Sequence, residues 1–146
     1  DAVVEYGLEA VQLNLDAVDG VDMPADFSPS EGLCIEQAVR QRGLEIAALS
    51  GTFNMIHPDL LQRQEGMRRL ALITAACASI GTRLVTLCTG TCDPDYQWRR
   101  HPDNDTHVAW QTMLRSMETA VQLAEAHDVI LVFEPEVNNV VDDLTA

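Results

Sequence analysis

Val129-Ile130-Leu131-Val132-Phe133-Glu134-Pro135-Glu136 is the stretch whose reading decides the fold: five apolar residues, mostly β-branched or aromatic, run straight into a carboxylate and a proline. An unbroken apolar run of this kind is expected for a strand buried on both faces of a parallel sheet. Working back toward the N-terminus, Leu84-Val85-Thr86-Leu87-Cys88 and Glu45-Ile46-Ala47-Ala48-Leu49 read as two further short strands. Leu8 to Leu15 alternates apolar and polar residues after a helix-ending Gly7, which suggests a first strand finishing near Asp16. Helical patterns fill the gaps. Ser28-Pro29-Ser30-Glu31 supplies an N-cap, a proline at N1 and a glutamate at N3, a capping box that starts a helix with Ile35, Ala38 and Val39 on one face and a stop at Gly43. Met67, Leu70, Ala71, Thr74, Cys77 and Ala78 mark a second helix, closed by Gly81. Trp110, Met113, Leu114, Met117, Val121 and Ala124 mark a third, as an inward stripe.

Strand ends therefore fall near Asp16, Ser50, Cys88 and Glu134, one βα unit every about 35 to 45 residues. Such a series fits either a small doubly wound domain or part of a (β/α)8 barrel, for which about 250 residues is typical. The chain starts inside a helical pattern and ends at Val141-Asp142-Asp143-Leu144-Thr145-Ala146, which resembles a helix just begun. The expectation is an α/β chain forming a partial segment of a single barrel domain over residues 1–146. Half a barrel leaves two unpaired sheet edges, so a homo-oligomer is expected.

Composition narrows the function classes. With 146 residues the chain can bury a core without disulfide or metal staples. Nine basic residues against 23 acidic ones give a net charge of -14, and all nine are arginine. The absence of lysine excludes, within this chain, a Schiff-base lysine and a P-loop lysine. The acidic balance argues against binding to nucleic acid or an anionic membrane, both of which need clustered basic charge. Cys34, Cys77, Cys88 and Cys92 contain no C-x-x-C pair. A reduced, cytoplasmic chain whose cysteines serve packing is the simpler reading.

In either parallel architecture the working face lies at the carboxyl ends of the strands. The residues there are Asn14 and Asp16, then Ser50 to His57, then Cys88 to Thr91, then Glu134, Glu136, Asn138 and Asn139. This oxygen-rich set suits a hard or borderline divalent cation and a polyhydroxy ligand better than a thiolate zinc site. Glu134 stands out, because a carboxylate at the mouth of a buried strand needs a cation, a substrate proton or an arginine to offset its desolvation. Glu136 either faces the same mouth or, beyond Pro135, turns toward solvent. His57 offers an imidazole to a metal or a substrate hydroxyl, or else opens a helix with Pro58 and Asp59. Asn138 and Asn139 donate to sugar hydroxyls or cap a helix at Asn139-Val140-Val141-Asp142. Trp98, His101 and Asn104 lie in a long third βα loop, where an aromatic ring either stacks on a sugar or packs on the scaffold.

Taken together, Ser50-Gly51-Thr52-Phe53-Asn54-Met55-Ile56-His57-Pro58, Val85 to Thr91, the loop Trp98 to Asn104 and Phe133-Glu134-Pro135-Glu136-Val137-Asn138-Asn139-Val140-Val141 resemble the sugar phosphate isomerase/epimerase family, xylose isomerase-like TIM barrels. The superfamily also contains the endonuclease IV type. The resemblance covers essentially the whole chain, as the second through fifth of eight strands. It implies that Glu134 is a ligand of a divalent cation (manganese, magnesium, cobalt or zinc) and also transfers a proton, with three further ligands beyond Ala146. It implies a histidine near the substrate or a metal at His57, which joins Trp98, His101, Glu136 and Asn138 from the reading of the loops as expected contacts to a small sugar or polyol. The implied activity is metal-dependent isomerisation or epimerisation through an enediolate. An endonuclease-like phosphodiesterase and a catalytically silent sugar-binding barrel are the alternatives.

Overall fold

The computed structural model describes residues 2–15 and 23–143. Asp16 and Leu144 to Ala146, which figure in the expectations above, lie outside the described residues. A short helix α1 (Ala2–Glu5) leads into strand β1 (Ala10–Leu13). Helix α2 (Pro29–Arg40), strand β2 (Glu45–Ser50), helix α3 (Leu60–Ile80) and strand β3 (Leu84–Leu87) follow. A 3-10 turn (Pro102–Asp105), helix α4 (His107–Ala126) and strand β4 (Ile130–Phe133) complete the order. All neighbouring strands pair in parallel, in the spatial order β1-β2-β3-β4. A flavodoxin-like domain would place its second strand outside its first. Strict sequential order, with each helix crossing over to the next strand, is that of a (β/α)8 barrel, of which this chain is a part.

Local chemistry sets the boundaries. Ser28 caps α2 through its hydroxyl to the Glu31 N–H, and Glu31 returns a carboxylate to the Ser28 N–H at 2.6 Å. Asp59 caps α3 by accepting from the Leu61 N–H at 2.8 Å. That helix stops where Gly81 adopts φ 88°, a left-handed conformation that glycine enters without a Cβ penalty. The core lies between sheet and helices, with Leu49, Leu70, Ile73, Ile80, Val85 and Leu87 all at or near zero exposure.

One irregularity positions the site. Val11 pairs with Ile46, but Gln12 pairs with Ala48, so β2 carries one residue more than β1 at that point. This bulge resets the alternation of β2. Ile46 and Leu49 both join the core, while Ser50 shares the opposite face with Gln12 and Thr86, and Gln12 Nε2 donates to Thr86 Oγ1 at 3.2 Å.

Among the described residues β4 is an edge of the sheet: Leu131 and Phe133 pack against the core, while Ile130 (52%) and Val132 (38%) on its other face are exposed. One expectation about burial is corrected. The inward line of α4 is Ala109, Met113, Ala120 and Ala124, whereas Trp110, Leu114 and Val121 are 36%, 37% and 41% exposed. The small alanines allow close approach, so the buried stripe sits beside the one the larger residues suggest. Val141 to Asp143 are not helical.

Candidate functional site

The strand ends open onto one recess of about 300 Å³. β1 contributes Gln12 and, just beyond its end, Asn14; Ser50 and Thr52 follow from the end of β2. Glu134 and Glu136 stand opposite, and Gln97 and Trp98 form the remaining wall. Glu134 is fixed by its backbone, which donates to Leu87 O at 2.9 Å and extends the β3–β4 pairing by one residue. Glu136 is fixed differently. Its N–H donates to Val141 O at 3.3 Å and its carbonyl accepts from the Asn139 N–H at 3.0 Å, so the chain turns back on itself. Both carboxylates are half-buried. The expectation that Pro135 lets Glu136 turn to solvent is therefore corrected, since this turn brings Glu136 back to the recess.

The walls are held by a clamp of four asparagines around Gly90. Asn54 accepts from the Thr91 N–H and donates to Thr91 O at 3.0 and 2.8 Å. Asn139, 1% exposed, accepts from the Gly90 N–H at 2.6 Å and donates to Gln97 O at 3.3 Å. Asn104 accepts from the Thr91 hydroxyl and the Cys92 N–H and donates to Asn138 O at 2.8 Å. Asn138, at φ 76°, donates to Trp98 O at 3.1 Å. Gly90 has φ 81°, and a Cβ there would lie 2.1 Å from Asn54 Oδ1, so only glycine serves at the centre. Asp93 completes the loop. The Asp95 N–H, then the Tyr96 N–H and Arg99, hold its carboxyl below the usual range.

The structure thus brings Glu134, Glu136 and Trp98 to one recess with Asn14, Ser50 and Thr52, and places His57, His101, Asn138 and Asn139 elsewhere. Asn138 and Asn139 spend their amides on the clamp, and Asn139 caps no helix. His57 lines a neighbouring cleft; its Nδ1 accepts from the Asp59 N–H at 3.0 Å, which assigns the proton to Nε2, 3.0 Å from Pro94 O. Neither nitrogen has a lone pair left for a metal. His101 caps the 3-10 turn, accepting from the Asp103 N–H at 3.2 Å. Gln12 and Gln97 were not among the sequence candidates; the polar phase of the alternating β1 is the signal that marks Gln12.

Among the described residues no group of three His, Cys, Asp or Glu side chains could hold a metal. The two carboxylates and the surrounding amide and hydroxyl oxygens suit a hard divalent cation in kind, but they are too few for a complete site. The cysteines offer no substitute. Burial pushes the Cys88 thiol up to about 12, with the Glu136 and Glu134 carboxylates acting in the same direction, so it stays protonated.

The sequence matches the xylose isomerase-like TIM barrel family over residues 1–144, and the chain belongs to that family. Its fold is similar to that of the E. coli 3-keto-D-glucoside 4-epimerase YcjR (TM-score 0.67, 13% identity), covering 92% of this chain and 48% of that one. A xylose isomerase-like TIM barrel protein from Mycobacterium smegmatis, in complex with magnesium, gives 0.67 at 14%, covering 96% and 46%. The probable 3-DHS dehydratase AsbF from Bacillus anthracis, involved in petrobactin synthesis, gives 0.65 at 11%, again covering 96% and 46%. The chain thus spans about half the length of these structures. No curated protein matches the sequence significantly.

Proposed function

We propose that the complete barrel is a metal-dependent sugar isomerase or epimerase that moves a proton next to a carbonyl through an enediolate. The observation that carries this reading is the convergence of Glu134 and Glu136 with Gln12, Asn14, Ser50 and Thr52 on one recess at the strand ends. Neighbours described as a sugar epimerase and a dehydratase support it. When bound, a divalent cation would polarise the substrate's carbonyl. Glu134, held by the sheet, would supply one ligand oxygen or take the proton; Glu136, lining the same recess, would serve as hydrogen-bond acceptor or second proton carrier. Gln12, Asn14, Ser50 and Thr52 offer neutral donors and acceptors to hydroxyl groups, and Trp98 a face for a sugar ring.

The test is hydrogen exchange. The complete barrel is incubated with ketoses and divalent cations in deuterated water, and deuterium at the carbon beside the carbonyl is read by NMR. Exchange that disappears in Glu134→Gln supports the proposal. Sugar binding without exchange would overturn it in favour of a silent binding barrel.

A further inference from the structure

The recess does not end at Trp98. On the far side of Thr52, Gln97 and Trp98, which line both, an open cleft of about 900 Å³ runs between the loop after β2, helix α3 and the loop after β3. The inner recess is at the small end of ligand-sized cavities and the cleft near the large end. The cleft's lining has the composition of a carbohydrate site rather than of a packing gap. Tyr96, 53% exposed, supplies aromatic surface, while Gln62 and Asp95 supply hydrogen-bonding groups.

Charge narrows the ligand further. Among the described residues, no arginine lines the inner recess. In the cleft, Arg69 is bound to Glu65 at 2.7 Å and donates to Met23 O at 2.7 Å, and both His57 nitrogens are engaged. Neither cavity therefore offers this chain's own uncompensated cation to a phosphate, which is normally met by arginine, lysine or a set of free backbone N–H groups. An uncharged polyol meets no such need.

We propose that the cleft is a second subsite, and that the ligand is an uncharged glycoside or disaccharide with one ring in the inner recess and the next in the cleft, Trp98 lying between them. This rests on the function proposed above and adds the size and charge of its substrate. Tyr96 is the selective element. It lines only the outer cleft, and Arg99 lies over its ring at 5.9 Å, holding it in the loop.

The test is binding rather than turnover, on the complete barrel, by isothermal titration with matched sets: monosaccharides, the glucosyl disaccharides containing them, and their 6-phosphates. The expected result is at least one disaccharide bound tenfold or more tighter than its monosaccharide, with no gain from the phosphate. Tyr96→Ala should return the disaccharide to within threefold of the monosaccharide and leave the monosaccharide unchanged. Monosaccharides that bind as well as or better than every disaccharide would overturn the subsite while leaving the proposed function standing. A preference for the phosphates, or a Tyr96→Ala change that weakens mono- and disaccharides equally, would also overturn it. If no member of any set bound, both readings would fall together.

Discussion

Replacing Asn139 with alanine should loosen the candidate site from behind, without touching its lining. The side chain is 1% exposed and makes two hydrogen bonds, accepting from the Gly90 N–H at 2.6 Å and donating to Gln97 O at 3.3 Å. Truncation leaves the Gly90 N–H buried without a partner, at about 1–3 kcal/mol. The Gln97 carbonyl is half-buried and its bond is longer, so its loss adds about 0.5–1 kcal/mol. The sum is about 1.5–4 kcal/mol. Asn138→Gly is the control. It removes a single amide bond, to Trp98 O at 3.1 Å, and glycine accepts the φ of 76° without strain, so it should cost about 1 kcal/mol. Urea unfolding of the complete barrel gives both values, provided the m-values agree. With Trp110 and any tryptophan outside these 146 residues replaced by phenylalanine, Trp98 is the one remaining indole, and its emission should shift to longer wavelength in Asn139→Ala as the Gln97–Trp98 wall opens. A loss under 0.5 kcal/mol with unchanged emission, or a larger loss for Asn138→Gly, would refute the clamp as drawn.

Glu134→Gln should lower the exchange rate by about 10² or more, the lower bound for removing a positioned acid–base group, and Glu136→Gln by about tenfold; equal loss of metal and sugar binding without a rate effect would contradict the proton-carrying role. The Glu65 carboxyl is held down to about 2, first by Arg68 and then by Arg69. A depressed folded value stabilises above the unfolded value of 4.5 and is lost as pH falls toward 2, so Glu65→Gln should flatten the melting temperature's decline across that window; an unchanged decline would remove Glu65 as its source. Cys88 and Cys77, whose thiols burial pushes up to about 12 and about 11, should resist iodoacetamide at pH 8 while exposed Cys34 reacts; mass spectrometry showing modified Cys88 in the folded protein would contradict its burial.

What the sequence revealed of this fold was local. The capping box at Ser28 and the stop at Gly81 involve residues within a few positions of one another, and both boundaries stand within a residue or two of their expected places. The regular alternation of strands and helices was enough for a parallel sheet with Glu134 at the carboxyl end of its last strand, in a doubly wound domain or a barrel alike; the sequential strand order needed the resemblance. The buried face of α4 was not legible, because two adjacent apolar lines compete there and small alanines win by fitting closer. The asparagine clamp was least legible. Asn139 and Gly90 are 49 residues apart, and an asparagine in a loop reads equally as a cap, a sugar donor or a strut until the partner is known. That ambiguity is why Asn138, His57 and His101 drew attention that belonged to Gln12 and Gln97.

The extra residue in β2 has an implication for how this strand tolerates length changes. Removing Ala47 would restore simple pairing with β1 and leave every pair beyond it in place, Leu49 opposite Leu13 on the core side and Ser50 at the mouth. Removing Leu49 instead would bring Ser50 opposite Leu13 and carry the wet side of the strand into the greasy one. Length changes in related sequences should therefore be tolerated at Ala47, the slack in the strand, and be absent at Leu49 and Ser50, whose count to the mouth is fixed.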